Sequence, residues 1–438
     1  MLSRRWVLIA LLLCVSALRA ESAMDGVRIY DDDPQHLWNR MHETLFVRLG
    51  PDGVRYGEDR VDPLVWPRTT HLLESTSHAR ALSILDEFLR KRGDRLVRDP
   101  LKRAFLQHDL WNLFDWAARA PMGPDAAFET QRSALRARLV PIIRALALSP
   151  HEIASLPDNY SRAIRRGLPE APPARLFDEN SEWIRIGSRD GTAPMHAQHF
   201  GGRSMFHVLM RVPGGRKEGL NYLDRLARFE HPWQLEDPPA APGYFRSRPS
   251  RALPQFPPQT EWVLVRRMRV LDQEGAIRLT PIVQSIQLRR YLIVPESDAV
   301  PLDYENAQTM RVFEMSRARA GELIEVQKGA RDFIQFQAHD TDPFEIPSEQ
   351  VAKWYRDPEP FRNRLQHDVL RHCQACHADR GILSVNSLAW SSGDRSWPVL
   401  HPLGNDATIG SPTQDATIGS PAYSSTHEYG VLRGMWER

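Results

Sequence analysis

The sequence is poor in cysteine. Three occur in 438 residues, at positions 14, 373 and 376, too few for the disulfide framework that holds many secreted domains together. Lysine is scarce as well. Arginine outnumbers it by roughly ten to one, although both serve as solvated surface charge. The formal net charge is only +2, so there is neither the basic field of a nucleic-acid-binding protein nor the acidic tail of a solvating segment. Long apolar runs are missing after the first twenty residues, and nothing later approaches the ~20 apolar residues that span a bilayer. A G-x-S-x-G nucleophile motif and a P-loop lysine–serine pair are also absent. Tryptophan (12) and proline (34) are plentiful, and the prolines punctuate the chain.

The N-terminus has the order of a secretory signal. Arg4 and Arg5 precede an apolar run over residues 6–18, about thirteen residues and within the 7–15 of a signal core. Cleavage fits after Ala20, so residues 1–20 are read as a signal peptide and the protein as periplasmic or secreted, in a bacterial cell envelope. Leu18 is large for the −3 position, which leaves an uncleaved anchor as the alternative and the one route to a membrane. The bulky Leu13 argues against lipidation at Cys14. The mature chain then keeps two cysteines, three positions apart, with histidine next.

That run is Cys373-Gln374-Ala375-Cys376-His377, the C-x-x-C-H signature of c-type haem attachment. The spacing suits the chemistry. Two thiols add across the two vinyl groups of one porphyrin, and the adjacent imidazole is held beneath the iron as proximal ligand. Zinc would want a second ligand pair, and a redox dithiol would follow a strand at a helix start. Residues 360–372 instead read as a helix, from Phe361, Leu365, Val369 and Leu370.

On these residues, the stretch 348–438 resembles a monohaem cytochrome c domain. The likeness is specific at Cys373, Cys376 and His377 and weak elsewhere. It implies one covalent haem c, a small helical fold, and electron transfer with a redox protein partner. In that family a methionine before the C-terminal helix usually supplies the distal ligand, and here the sequence departs. The only methionine after the motif is Met435, inside the closing helix. His401 and His427 are the other distal candidates, with His367 and His372 flanking the motif. No catalytic residue is assigned. A haem-containing oxidoreductase subunit, a peroxidase-like enzyme and a haem-based sensor stay open as alternatives.

The rest of the chain divides by its periodicity. Residues 28–168 predict a helical domain, with a helix start at Asp33-Pro34, a turn at residues 50–53, and helices over 77–92, from Asp99-Pro100 onward and over 125–148. Ser149-Pro150-His151-Glu152 has the form of a capping box. Residues 180–342 predict a mainly antiparallel β domain with strands over 205–212, 262–271, 277–294, 310–315 and 332–337. One helix interrupts it over 217–229, Glu274-Gly275 marks a hairpin turn, and 232–258 reads as an irregular proline-rich loop. The expected class is therefore α+β and multidomain: helical, then β, then cytochrome-like. The repeat of residues 406–412 at 415–421 reads as a duplicated surface loop.

Other clusters are weaker. His71, Glu74 and His78 fall at helical spacing, and His196, His199 and His207 lie around a strand. Neither forms a complete metal-ligand set, and a solvated face or packing explains them. Gly201-Gly202-Arg203 and Gly214-Gly215-Arg216 read as turns, and Trp38, Trp66, Trp111 and Trp116 as core.

Overall fold

The computed structural model describes residues 26–49, 55–59, 71–119, 128–167, 171–187, 202–231, 233–235, 247–294, 307–328, 380–385, 401–402 and 427–437. They form a mixed α+β structure.

The helical part comprises α1 (Leu37–Phe46), α2 (Ser75–Arg90), α3 (Pro100–Ala118), α4 (Glu129–Ala145), α5 (Pro150–Ala154) and α6 (Asn159–Arg166). A two-residue ribbon, β1 (Arg48–Leu49) with β2 (Arg55–Tyr56), flanks the expected turn at 50–53, which itself lies outside the described residues. Local chemistry sets several starts. Asp99 accepts from the backbone N–H of Leu101 and Lys102, and Pro100 takes the first position of α3. Both halves of the Ser149–Glu152 capping box form at α5. At Asp33-Pro34 the expectation fails. Asp33 spends its carboxylate on the Gln35 N–H, and α1 starts at Leu37 with His36 as N-cap. Helix α2 starts after Glu74, so His71, in a short 3-10 turn, shares no helical face with His78.

The seven-stranded sheet is antiparallel throughout, in the order β10-β9-β8-β7-β4-β3-β11. Its strands are β3 (Ile184–Gly187), β4 (Ser204–Arg211), β7 (Thr260–Leu271), β8 (Ile277–Tyr291), β9 (Gln308–Ser316), β10 (Glu322–Lys328) and the edge strand β11 (His401–Pro402). Helix α7 (Gly215–Ala227) follows β4. Within the proline-rich stretch, β5 (Trp233–Leu235) pairs with β6 (Ser247–Pro249), which corrects the reading of 232–258 as wholly irregular. Strand β10 was not anticipated, and the expected strand 332–337 lies outside the described residues. The β7–β8 hairpin turns where Glu274-Gly275 predicts. Gly275 takes φ +72°, and Asp272 Oδ1 accepts from the N–H groups of Glu274 and Ala276 while Oδ2 takes Arg278 Nε at 2.6 Å.

Packing joins the two halves. The largest apolar cluster runs from Trp38, Leu85, Trp111 and Ile142 on the helices to Met268, Val270, Leu271, Ile282 and Met315 on the sheet. It also takes in Leu432 and Trp436 of α9 (His427–Trp436). A second cluster packs α7 against Ile184, Ile186 and Met210, and includes Ile382 and Leu383 of α8 (Gly381–Val385). A third lies on the side of the sheet carrying Leu209, Val263 and Val265, covered by Tyr160, Leu176 and Trp183. Val263 and Val265 alternate with Trp262 and Leu264, so successive residues serve opposite faces.

Candidate functional site

Cys373, Cys376 and His377 lie outside the described residues, as do His367 and His372. The chain is described again at Arg380, three residues past His377, and there it is tied to the sheet. Arg380 Nη2 donates to the Arg251 carbonyl at 3.1 Å, and the Ile382 N–H donates to Gln255 Oε1 at 2.9 Å. The Ser384 and Tyr291 hydroxyls lie 2.6 Å apart. Ile382 and Leu383 are buried with Tyr222, Phe256, Trp262 and Tyr291.

The three distal candidates fall on two elements, one on a strand and two on a helix. His401 belongs to β11, pairing with Gly187 of β3. The neighbouring Ile186 and Ile184 share a cluster with Ile382 and Leu383. His427 is the exposed first residue of α9, and Met435 is half-buried on the same helix. That helix packs against α3 and α4, with Met435 against the helical core.

Two other polar regions are fully described. The first is a charged layer between α3 and the sheet. Helix α3 is buried all round from Ala104 to Ala118, including Gln107, His108, Asp109, Asn112 and Asp115, so each polar group needs an internal partner. Arg203 reaches both Asn112 and Asp115. Arg317 Nη2 donates to Asp109 Oδ1 at 2.5 Å. Gln107 donates to the carbonyls of Ile143 and Leu271 and accepts from the Leu271 N–H. His108 Nδ1 sits 2.9 Å from the Arg269 carbonyl, which assigns the proton to Nδ1 and leaves Nε2 to accept from Gln284 Nε2 at 3.0 Å. Gln284 Oε1 in turn accepts from Ser204. Burial pushes His108 down to about 3, and nearby arginines push the same way. Burial pushes Asp109 up to about 6, against the pull of Arg317. His42, also buried, falls to about 4.

The second is a cleft of about 470 Å³ on the face carrying Val263 and Val265. Arg267, Pro281 and Val283 line it from the sheet, Asp158, Tyr160, Ser161, Ile164 and Arg165 from α6 and its cap, and Arg175, Phe177 and Asp178 from the following loop. The sheet is irregular here. The β7–β8 register slips on either side of Arg267, and Pro281, which has no N–H to give a ladder, stands in the unpaired stretch. Asn159 bridges the gap, taking the Val283 N–H at 2.8 Å and donating to the carbonyls of Val283 and Gly321. Tyr160 donates to the Pro173 carbonyl and accepts from the Leu176 N–H. Arg175 takes a left-handed φ of +61° and pairs with Asp178.

Sequence reasoning missed both regions. The available signal for the cleft was Arg267 in step with Val263 and Val265, an arginine on the inward side of an alternating strand. For the layer there was none, since a helix buried all round shows no apolar stripe. Of the weaker clusters, His207 is buried and both its ring nitrogens lack hydrogen-bond partners, while His196 and His199 lie outside the described residues. Among the described residues no group of three or more His, Cys, Asp or Glu could hold a metal ion, and no helix is long and apolar enough to cross a membrane. Compared with family models, curated proteins and solved structures, the chain finds no match in any of the three.

Proposed function

We propose that the protein is an exported c-type cytochrome that carries one covalent haem and passes electrons to or from a redox protein partner. The observation that carries this reading is the donor set itself, two thiols and an imidazole in the order Cys373-x-x-Cys376-His377. That set fits haem c and lacks the further ligands zinc requires. The N-terminal signal agrees with it, because haem is attached to such proteins after export. When bound, haem supplies a one-electron ferric–ferrous couple.

The residues would act as follows. Cys373 and Cys376 hold the group through thioether bonds, and His377 binds the iron. The tether formed by Arg380, Ile382 and Ser384 fixes the chain beyond the motif to the sheet. Among the distal candidates His401 is favoured. Its strand borders β3, whose isoleucines pack with the residues just after the motif, whereas His427 and Met435 ride a helix committed to the other core. His401 joining His377 as a ligand would give a lower potential than a methionine partner would.

Replacing both cysteines (Cys373→Ala with Cys376→Ala) is expected to abolish haem that survives a denaturing gel. The reduced wild-type spectrum is expected to stay unchanged under carbon monoxide, and His401→Ala to make it respond. Strong gas binding by the wild type would contradict the electron carrier with two axial ligands and favour a sensor or an enzyme.

A further inference from the structure

The cleft over β7 and β8 is lined by a buried cation that forms no ion pair among the described residues, although the charge of Asp158 acts on it. Arg267 keeps only 9% of its surface exposed. Its Nη2 donates to the Thr280 carbonyl at 2.9 Å, and its Nη1 is buried with no hydrogen-bond partner. Leaving such a donor unmet is costly, the more so when the group is charged. Arg203 and Arg317, two arginines buried in the layer on α3, each hold a carboxylate. Arg267 holds none among the described residues, yet it lines an accessible cleft.

The rest of the lining narrows what could answer it. Ile164, Phe177, Pro281 and Val283 present an apolar wall. The cleft's volume falls in the range of roughly 300–1,000 Å³ typical of small-molecule sites, far larger than a bare ion needs. Asp158 and Asp178 also stand in the lining, and Arg175 is already committed to Asp178. Three arginines in the lining, Arg165, Arg175 and Arg267, face those two carboxylates, which leaves one positive charge for a single negative charge to match. The walls are fixed in place: Asn159 pins α6 to β8, and the Tyr160 hydroxyl is bonded on both sides. The walls are thus preformed, which lowers the cost of binding, and Arg267 Nη1, itself covered, meets a ligand by a turn of its guanidinium toward the cleft.

We propose that this cleft binds a small organic monocarboxylate, its carboxylate paired with Arg267 and its apolar body against Phe177, Ile164 and Val283. The proposal stands apart from the haem reading and uses none of its residues.

Calorimetric titration of the full chain with acetate, butyrate and benzoate tests it, with benzamide as the neutral isostere and inorganic phosphate as the dianion. The expected result is one saturable site for butyrate or benzoate, with benzamide and phosphate each at least tenfold weaker. Arg267→Gln is expected to weaken binding at least tenfold. Should that variant fail to fold, Ile164→Trp, which fills the cleft and leaves Arg267 in place, is expected to do the same. The proposal is overturned if none of the three acids binds, if phosphate binds as tightly as benzoate, or if binding survives in the folded variants.

Discussion

Single buried residues, His42 on α1 and His108 and Asp109 on α3, govern how the protein responds to acid. His42 and His108 titrate near 4 and 3 in the fold because burial disfavours their charged form. In the unfolded chain they return to about 6.5. Below that value the unfolded state binds the extra protons, so the stability they contribute is present at neutral pH and lost as pH falls. Asp109 works the other way. Its folded value is raised to about 6, so the fold takes up its proton first and gains as pH drops toward 4. Burial holds His207 low as well, and three histidines against one aspartate leave a net loss. The melting temperature is expected to fall between pH 7 and pH 5, and Asp109→Asn to steepen that fall by removing the opposing group. A flat or rising profile in calorimetric scans would contradict the assignment. At pH 7, Asp109→Asn alone is expected to cost about 3–5 kcal/mol, since it strands Arg317 in the interior. The double change Asp109→Leu with Arg317→Met is expected to cost less than either single change in urea titration, because both charges leave together.

At the scale of elements, helix α9 closes the helical core from the far end of the chain. Leu432 and Trp436 are buried in it. Arg144 Nη1 donates to the Trp436 carbonyl at 2.9 Å, and Arg433 Nη1 to the Glu274 carbonyl at 2.7 Å on the β7–β8 turn. Trp436→Ala is expected to destabilise the protein by about 3–5 kcal/mol in urea unfolding, the usual cost of emptying a large core site. A change under 1 kcal/mol would mean that the helix does not dock there. Sequence patterns made much of this architecture legible. Asp99-Pro100, Ser149 with Glu152, and the β7–β8 turn each carry their own local instruction, and each formed where it was read. The misses have a physical reason. At Asp33 the same side-chain contact serves a turn instead of a helix, its carbonyl taking the N–H of His36 three residues on, where the Asp99 carbonyl takes that of Arg103 four residues on. The β5–β6 pair hides among prolines because two three-residue strands leave no period to detect. The cleft depends on Pro281, Asn159 and Phe177 meeting across the fold, and no local spacing encodes such a meeting.

At the scale of the whole molecule, the largest apolar cluster spans helices and sheet, and two further clusters cover the rest of the sheet, one of them taking in Ile382 and Leu383. Helices and sheet are thereby packed against each other. The motif was legible in the sequence because covalent attachment needs fixed neighbours along the chain. A distal ligand has no such local signature, since a candidate can stand on any remote segment. The most direct test is a pyridine haemochrome assay on protein exported by a host that attaches haem c. Covalent attachment predicts one haem per chain, retained after acid–acetone extraction. A colourless product with free thiols at Cys373 and Cys376 would contradict it.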